Sequence, residues 1–239
     1  MNIALIGYGK MGKTIEQIAL QRGHNVVLKI SSSNLDDLTA DNLKKADAVI
    51  EMTQPEAAKA NVMLCLKAGV PVTSGTTGWN LEIPEANKAA EDYDTAFLYA
   101  SNYSIGVNIF FEVNKVLAKL MSSQPEYDVR MKEIHHTQKK DSPSGTAITL
   151  ANQVLDELPH KDKWSEEETG NNILHIEALR EEGVPGTHTI TYSSPIDDIE
   201  ITHTAHNRNG FALGAVLAAE FIAGKKGVFT MKDVLGISE

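Results

Sequence analysis

Met1-Asn2-Ile3-Ala4-Leu5-Ile6-Gly7-Tyr8-Gly9-Lys10-Met11-Gly12 is the stretch on which the fold turns. An apolar run enters a G-x-G-x-x-G turn, and Met11, Ile15, Ile18 and Ala19 then recur at helical spacing, with Gly23 placed to end the helix. Strand, glycine turn, helix is the setting this motif requires. There the glycines permit a tight turn and close backbone approach, and the helix N–H groups face a pyrophosphate. The bland alternative is a tight strand-helix turn with no ligand.

Working outward, the first hundred residues alternate short apolar segments with amphipathic ones. Ile3–Gly7, Val26–Ile30, Ala48–Met52, Val70–Ser74 and Ala96–Ala100 are expected strands, apolar on both faces as buried parallel strands are. Pro55 is expected to open a helix carrying Ala58, Val62, Cys65 and Leu66 and closed by Gly69; Pro84 opens another. This rhythm implies an α/β fold with an N-terminal, Rossmann-like parallel sheet covered by helices on both faces.

Past residue 104 the pattern changes. A helix over Val107–Met121 leads to a long strand, Tyr127–Gln138, and Pro143 is expected to open a further helix. Lys161–Asn172 is charge-dense and reads as a mobile loop. Ile173–Leu179, Thr187–Ser193 and Ile199–Ala205 are extended segments with no helix between them, which suits a second α+β domain on an open mixed sheet. The tail from Gly210 has Phe211, Leu213, Val216, Leu217 and Phe221 at helical spacing and could pack back on the first domain. The division expected is 1–103 plus 209–239 for the dinucleotide and 104–208 for substrate binding and oligomerisation.

The bulk composition excludes more than it selects. The 239 residues are 42% hydrophobic and 23% charged, ample for a core without metal or disulfide staples. The net charge is −10, and no basic cluster suggests nucleic-acid binding. No segment approaches the roughly 20 apolar residues that span a bilayer. The start lacks a basic leader, and the single Cys65 fits a reducing compartment, so the expected location is the cytoplasm.

Two segments bear on the cofactor. The second strand ends in Lys29-Ile30-Ser31-Ser32-Ser33, where a ribose-binding acid is usual in NAD sites. Hydroxyls and a lysine would accept a 2′-phosphate that a carboxylate would repel, so NADPH is expected to be preferred, with NADH possible; equally, the serines could simply form a turn. Ser74-Gly75-Thr76-Thr77-Gly78 follows the fourth strand, where open α/β sheets bind ligands.

The chemistry is concentrated in Glu133-Ile134-His135-His136-Thr137-Gln138-Lys139-Lys140-Asp141-Ser142-Pro143-Ser144-Gly145-Thr146. On a strand through Gln138, His135 and Lys139 would share a face with Glu133 and Thr137, while His136 would point the other way. Histidine moves protons near neutrality; lysine binds a carboxylate or donates a proton. With Pro143 in a first helical turn capped by Asp141 or Ser142, the N–H groups of Gly145 and Thr146 could hold a carboxylate with help from the helix dipole. The bland alternative is a half-buried histidine pair and a Ser-Gly cap. His203 and His206 lack ligand spacing, so no metal is expected. His24, His160, His175 and His188 read as turn or surface residues, and Cys65 as core.

Together these residues resemble the 4-hydroxy-tetrahydrodipicolinate (dihydrodipicolinate) reductases of the diaminopimelate route to lysine. The likeness runs nearly end to end: Gly7–Gly12, Gly75–Gly78, Ala100–Asn108, Glu133–Thr146 and Gly227–Leu235, with the His-His-x-x-Lys-x-Asp-x-Pro-Ser-Gly-Thr run the most specific. It implies NAD(P)H-dependent reduction of a small cyclic dicarboxylate. His135 would be the proton donor and Lys139 a second, with His136, Gly145 and Thr146 binding substrate. Gly7, Tyr8, Gly9, Lys10, Met11, Gly12 and Ser31 would hold the cofactor, as would Gly75, Thr76, Thr77, Ala100, Ser101, Asn102 and Tyr103. It further implies a homotetramer joined through the second sheet, and domains that close over the ligands. The chain departs from the family in a glycine loop one residue shorter, in Lys10-Met11 where Arg-Met is usual, in the missing acid after the second strand, and in its compact length. The rivals are another two-domain dehydrogenase and a non-catalytic NAD(P)H sensor.

Overall fold

The computed structural model describes residues 1–237. They divide into two compact units, one comprising Met1–Ile105 and the segment from Asn209, the other Gly106–Arg208. In chain order the first unit contributes β1 (Asn2–Ile6), α1 (Lys10–Gln21), β2 (Asn25–Ile30), α2 (Ala40–Leu43), β3 (Ala48–Glu51), α3 (Pro55–Lys67), β4 (Val72–Ser74), α4 (Ile83–Asp92) and β5 (Ala96–Tyr99). The second contributes most of α5 (Ile105–Met121), then β6 (Asp128–His135), α6 (Gly145–Glu157), β7 (Lys163–Ser165), β8 (Ile173–Arg180), β9 (Gly186–Ser193) and β10 (Asp198–Ala205). The chain finishes in the first unit with α7 (Asn209–Ile222), β11 (Gly227–Phe229) and α8 (Met231–Leu235).

The first sheet is all-parallel, in the order β11-β5-β4-β3-β1-β2. Alternation along β1 divides the core between two faces. Ile3 and Leu5 join one apolar cluster with α1 and α7, whereas Ala4 and Ile6 join another with α3 and α4. β2 departs from the expected two-sided burial, because it is the edge strand: Asn25, Val27 and Lys29 are exposed. β11 and α8 complete the other edge; α8 begins with a capping box between Thr230 and Asp233.

α7 packs back on the first unit, against α1, chiefly through its small residues. Ala212, Gly214, Ala215, Ala218 and Ala219 are buried together with the expected Val216, while Phe211, Leu213, Leu217 and Phe221 are only partly so. Small residues let the backbones approach closely: a Cβ on Gly214 would lie 1.7 Å from the Tyr103 carbonyl oxygen.

The second sheet is mixed, in the order β10-β9-β6-β8-β7, with β6 parallel to β8 and antiparallel to β9. One face packs on α5 and α6, and Val129 and Met131 of β6 join Leu150 and Val154 in that core. The opposite face is open at β10, whose Glu200, Thr202 and Thr204 are exposed. Lys161–Asn172 is not the loose loop expected: it contains β7, paired with β8. The buried Lys161 ammonium bonds Asp128 at 2.6 Å and the Ile173 carbonyl at 3.2 Å, which fastens the segment.

Candidate active site

In the first sheet the chain runs from β1 to β2 on one side, then crosses to β3 on the other. Strand ends part at such a reversal, and ligands of open α/β sheets bind there. A cleft of about 510 Å³ lies at this point, lined among others by Gly7, Gly9, Ser31, Met52, Thr53 and Gln54. The three glycines do different work. Gly7 has φ +98°, and a Cβ on it would lie 1.9 Å from the Met52 carbonyl oxygen; one on Gly12 would lie 2.5 Å from that of Gly7. Gly9, the residue before α1, would meet nothing within 4 Å. Two glycines thus serve the fold and the third leaves open space at the helix start, which fits a dinucleotide's phosphates.

Other expected cofactor residues are more engaged than the sequence suggested. The Lys29 ammonium bonds Glu16 at 3.1 Å and lies 5.2 Å from the Tyr8 ring centroid, and the Tyr8 hydroxyl donates to the same Glu16. The Ser31–Ser33 turn is pinned by Asn34, whose Oδ1 accepts from Ser31 N at 2.8 Å. Thr76 is buried, and its hydroxyl donates to Glu51 at 2.9 Å while accepting from Thr53 N at 2.7 Å. Gly75 is wedged between Met52 and Tyr103, and Thr77 is exposed. Tyr103 is a core strut rather than a contact by its side chain: its hydroxyl donates to the Ser74 carbonyl at 2.8 Å and meets Thr73 at 2.5 Å. Lys10 and Ser101 are exposed, Ala100 is buried, and Met11 packs against the core.

In the second unit, the inward face of β6 reads Val129, Met131, Glu133, His135, changing from apolar to ionisable in its last four residues. The strand ends at His135, short of the expected Gln138. Lys139 therefore lies in a turn, its N–H donating to the His136 carbonyl at 3.1 Å, and strand alternation does not place it. Its ammonium is bound by Asp141 at 2.8 Å and 2.9 Å. His136 is half-buried, and Thr137 is exposed. The helix also starts later than expected. Ser144, not Asp141 or Ser142, caps α6 through a bond from Ala147 N at 3.1 Å, leaving Pro143 outside the helix. Gly145 and Thr146 are thus the first two helical residues, and a Cβ on Gly145 would meet open space.

Glu133 ties these parts together. Ser144 N donates to both its oxygens at 3.1 Å and 3.2 Å, and the Ser144 hydroxyl donates to it as well. Arg180 Nη1 approaches at 3.4 Å while its Nη2 donates to the Asp141 carbonyl at 2.7 Å. His188, taken from sequence for a surface residue, is buried: its Nε2 lies 3.1 Å from Ser144 Oγ, and its ring stands edge-on to His135 at 5.0 Å. Cross-strand register could have signalled this, since Glu133 on β6 sits opposite His188 on β9, but register is invisible in sequence.

Burial opposes ionisation of Glu133, yet His188, the Ser144 donors and His135 outweigh it and hold the carboxyl at about 2. His135 is pushed down to about 4, chiefly by burial and further by the charges of His188, Lys139 and Arg180, against the pull of Glu133. It is neutral at pH 7. Ligating atoms of Glu133, His135 and His188 lie within 4.8 Å of one another, a grouping the sequence did not suggest. Ser144 and the cationic Arg180 already engage the carboxylate, His188 reaches it through the Ser144 hydroxyl, and His135 Nδ1 lies 3.5 Å from it without a hydrogen bond.

A parallel sheet with a glycine loop at its switch point, joined to a sheet carrying a buried neutral histidine beside a helix start, defines a dinucleotide-dependent oxidoreductase of the α/β class. Family models described as dihydrodipicolinate reductase, N-terminus and C-terminus, match residues 1–103 and 106–235. A 4-hydroxy-tetrahydrodipicolinate reductase of Christiangramia forsetii is 52% identical over 98% of both chains. One of Ralstonia nicotianae is 38% identical over 84% of this chain and 78% of its own. Among solved structures, a dipicolinate-bound dihydrodipicolinate reductase from Paenisporosarcina sp. TG-14 superposes with TM-score 0.81 at 21% identity, covering 100% of this chain and 99% of that one. The chain belongs to the dihydrodipicolinate reductase family.

Proposed function

We propose that this chain catalyses NAD(P)H-dependent reduction of 4-hydroxy-tetrahydrodipicolinate to tetrahydrodipicolinate in the diaminopimelate route to lysine, with His135 supplying the proton. Membership of the family supports the reaction. The observation that carries the residue assignment is the placement of a buried, neutral His135 3.5 Å from Glu133, the carboxylate that anchors the start of α6. Substrate and product differ by replacement of the 4-hydroxyl with hydrogen, so hydride, one proton and departing water balance the step. The bound nicotinamide would supply the hydride. Gly7–Gly12, Ser31, Gly75–Thr77 and Ala100–Tyr103 would hold the dinucleotide, with Tyr103 contributing through its backbone.

The proton is the protein's task. A dianionic substrate beside His135 favours the imidazolium and counteracts the burial that keeps the ring neutral, so His135 takes up its proton as substrate enters and can then act as general acid. Gly145 and Thr146, in the first turn of α6, hold one carboxylate with the helix dipole behind them. Lys139 exchanges Asp141 for the substrate, as carboxylate ligand and second proton donor, and His136 completes the pocket. NADPH is preferred to NADH: the cleft lining includes Ser31 and Ser32 and no carboxylate. Units 1–103 plus 209–239 and 104–208 serve cofactor and substrate respectively. The chain works in the cytoplasm as a homotetramer joined through the open sheet of the second unit; the buried thiol of Cys65 suits a reducing compartment, and among the described residues no helix is long and apolar enough to cross a membrane.

The test is the initial rate of NADPH and, separately, NADH oxidation with freshly generated 4-hydroxy-tetrahydrodipicolinate. Turnover with the faster rate on NADPH is expected. A folded protein that binds NADPH and turns over neither cofactor would overturn the reading.

A further inference from the structure

Glu51, the last residue of β3, is wholly buried, yet neither the glycine motif nor the histidine motif includes it. Four donors converge on its carboxylate. Thr53 supplies its N–H at 3.0 Å and its hydroxyl; Ser74 Oγ donates at 2.5 Å and Thr76 Oγ1 at 2.9 Å. Thr53 follows β3, while Ser74 and Thr76 end and follow β4, so one carboxylate spans two neighbouring strand ends. No salt bridge to Glu51 occurs among the described residues, unlike Glu133, which has Arg180 and two histidines.

What the carboxylate fixes is the wall of the nucleotide cleft. Met52, held between Glu51 and Thr53, donates its N–H to the Ile6 carbonyl at 2.8 Å, and its own carbonyl is the atom against which Gly7 packs. The Met52 side chain in turn abuts Gly75: a Cβ there would lie 2.6 Å from its Sδ. Asn61, on α3, donates to Thr53 Oγ1 at 3.3 Å and also lines the cleft. The glycine loop, the Met52–Gln54 segment and the Gly75 loop are therefore one packed assembly. Its polar centre is Glu51.

We propose that Glu51 is a positioning residue for the dinucleotide, acting as a clasp that holds the loops after β3 and β4 at the height the cofactor needs. The inference rests on the reading of this cleft as the cofactor site. A glutamine in its place keeps the shape but offers one accepting oxygen instead of two: its Oε1 can take the Thr53 and Thr76 donors, while its NH2 meets the Ser74 hydroxyl with a second donor. Ser74 must turn its hydrogen elsewhere, which loosens the tie to the end of β4, whereas the Thr53 N–H, shared with Thr76 Oγ1 at 2.7 Å, stays paired.

The test uses the full chain and the variants Glu51→Gln and Thr76→Val. Titration of NADPH fluorescence without substrate is expected to show dissociation constants raised by about tenfold in Glu51→Gln, the scale of one broken buried hydrogen bond. The KM for NADPH should rise in parallel while that for the dicarboxylate stays at its wild-type value. Thr76→Val should weaken NADPH by less, and adding it to Glu51→Gln should cost little more, because both act on one network. A purely structural role predicts another pattern: fewer active molecules, a lower kcat and both KM values unchanged. That pattern, or wild-type NADPH affinity in a folded Glu51→Gln, would overturn the clasp and leave the cofactor site standing. Failure of the wild-type chain to bind NADPH would overturn both.

Discussion

Glu51 and Glu133 are both fully buried at or near the end of a central strand, and each gathers a loop onto its strand. Their partners differ in kind. Glu51 takes hydroxyls and one backbone N–H, donors that hold a loop but neither titrate nor carry charge. Glu133 takes a serine cap on one side and Arg180, His135 and His188 on the other, so its geometry and its charge state are coupled. The nucleotide cleft is thereby a shaped backbone surface. In the histidine site Glu133 and His135 bias one another's protonation, and losses there should fall on the chemistry rather than on cofactor affinity.

The largest expected effect would break that contrast directly. His135→Ala should lower kcat by about two to four orders of magnitude, the usual worth of a positioned general acid. NADPH affinity, read by fluorescence titration, should stay at the wild-type value. Equal losses in both would mean that the two sites are not divided as proposed.

Glu133→Ala comes next. It leaves Arg180 and the Ser144 donors without their acceptor and should destabilise the chain by about 3 kcal/mol in urea unfolding, the cost of breaking a buried ion pair. It should also raise the dicarboxylate KM, since the start of α6 is no longer anchored. Unchanged stability would show that His188 and solvent replace the carboxylate.

Lys139→Ala sharpens the comparison within the histidine site. The dicarboxylate KM should rise by about tenfold, as expected for one charge-assisted bond, and kcat should fall. Asp141→Asn releases the ammonium from its present partner and should lower that KM. A rise in KM would instead make Asp141 part of the substrate site.

Acid titration probes the histidine site further. His135 has a folded pKa near 4, below its usual 6.5. The unfolded chain therefore binds the proton more readily, and stability falls as pH drops from about 6.5 toward 4. Glu133, also depressed, adds stability that is present above its unfolded value and lost as pH falls toward 2. Both slopes have the same sign. Urea midpoints at pH 7, 5.5 and 4 should decline, and His135→Gln should flatten the upper part of the decline. The smallest effect concerns the cofactor: Ser31→Asp should shift the NADPH-to-NADH rate ratio a few-fold toward NADH, and no shift would remove the serine turn from cofactor choice.

Much of the first unit was legible because its rules are local. Apolar runs, helix-opening prolines and glycines with a positive φ act over a few residues, and Gly7, Gly23 and Gly69 all take that conformation. Even so, of the large residues on which periodicity rested in α7 only Val216 is fully buried, because close helix packing favours alanine and glycine over the larger residues that dominate a sequence pattern. In the second unit the residues of the motif do come together, but in part with another geometry than expected. Lys139 left the strand, Ser144 took the cap, and Lys161–Asn172 gained a strand by pairing with a segment from outside its own stretch.

By itself, then, the sequence determined the strand-turn-helix start, the parallel sheet, the mixed second sheet and the family, since each is carried by periodicity or by a contiguous motif. Only the tertiary structure decided that Glu51 clasps two loops, that His188 stands against His135, and that Lys29 and Lys139 are held by Glu16 and Asp141. Those facts depend on strand register and on which side chains share a buried space. Partners brought together in this way can lie dozens of residues apart, as Glu133 and His188 do, and nothing in the chain between them records the meeting.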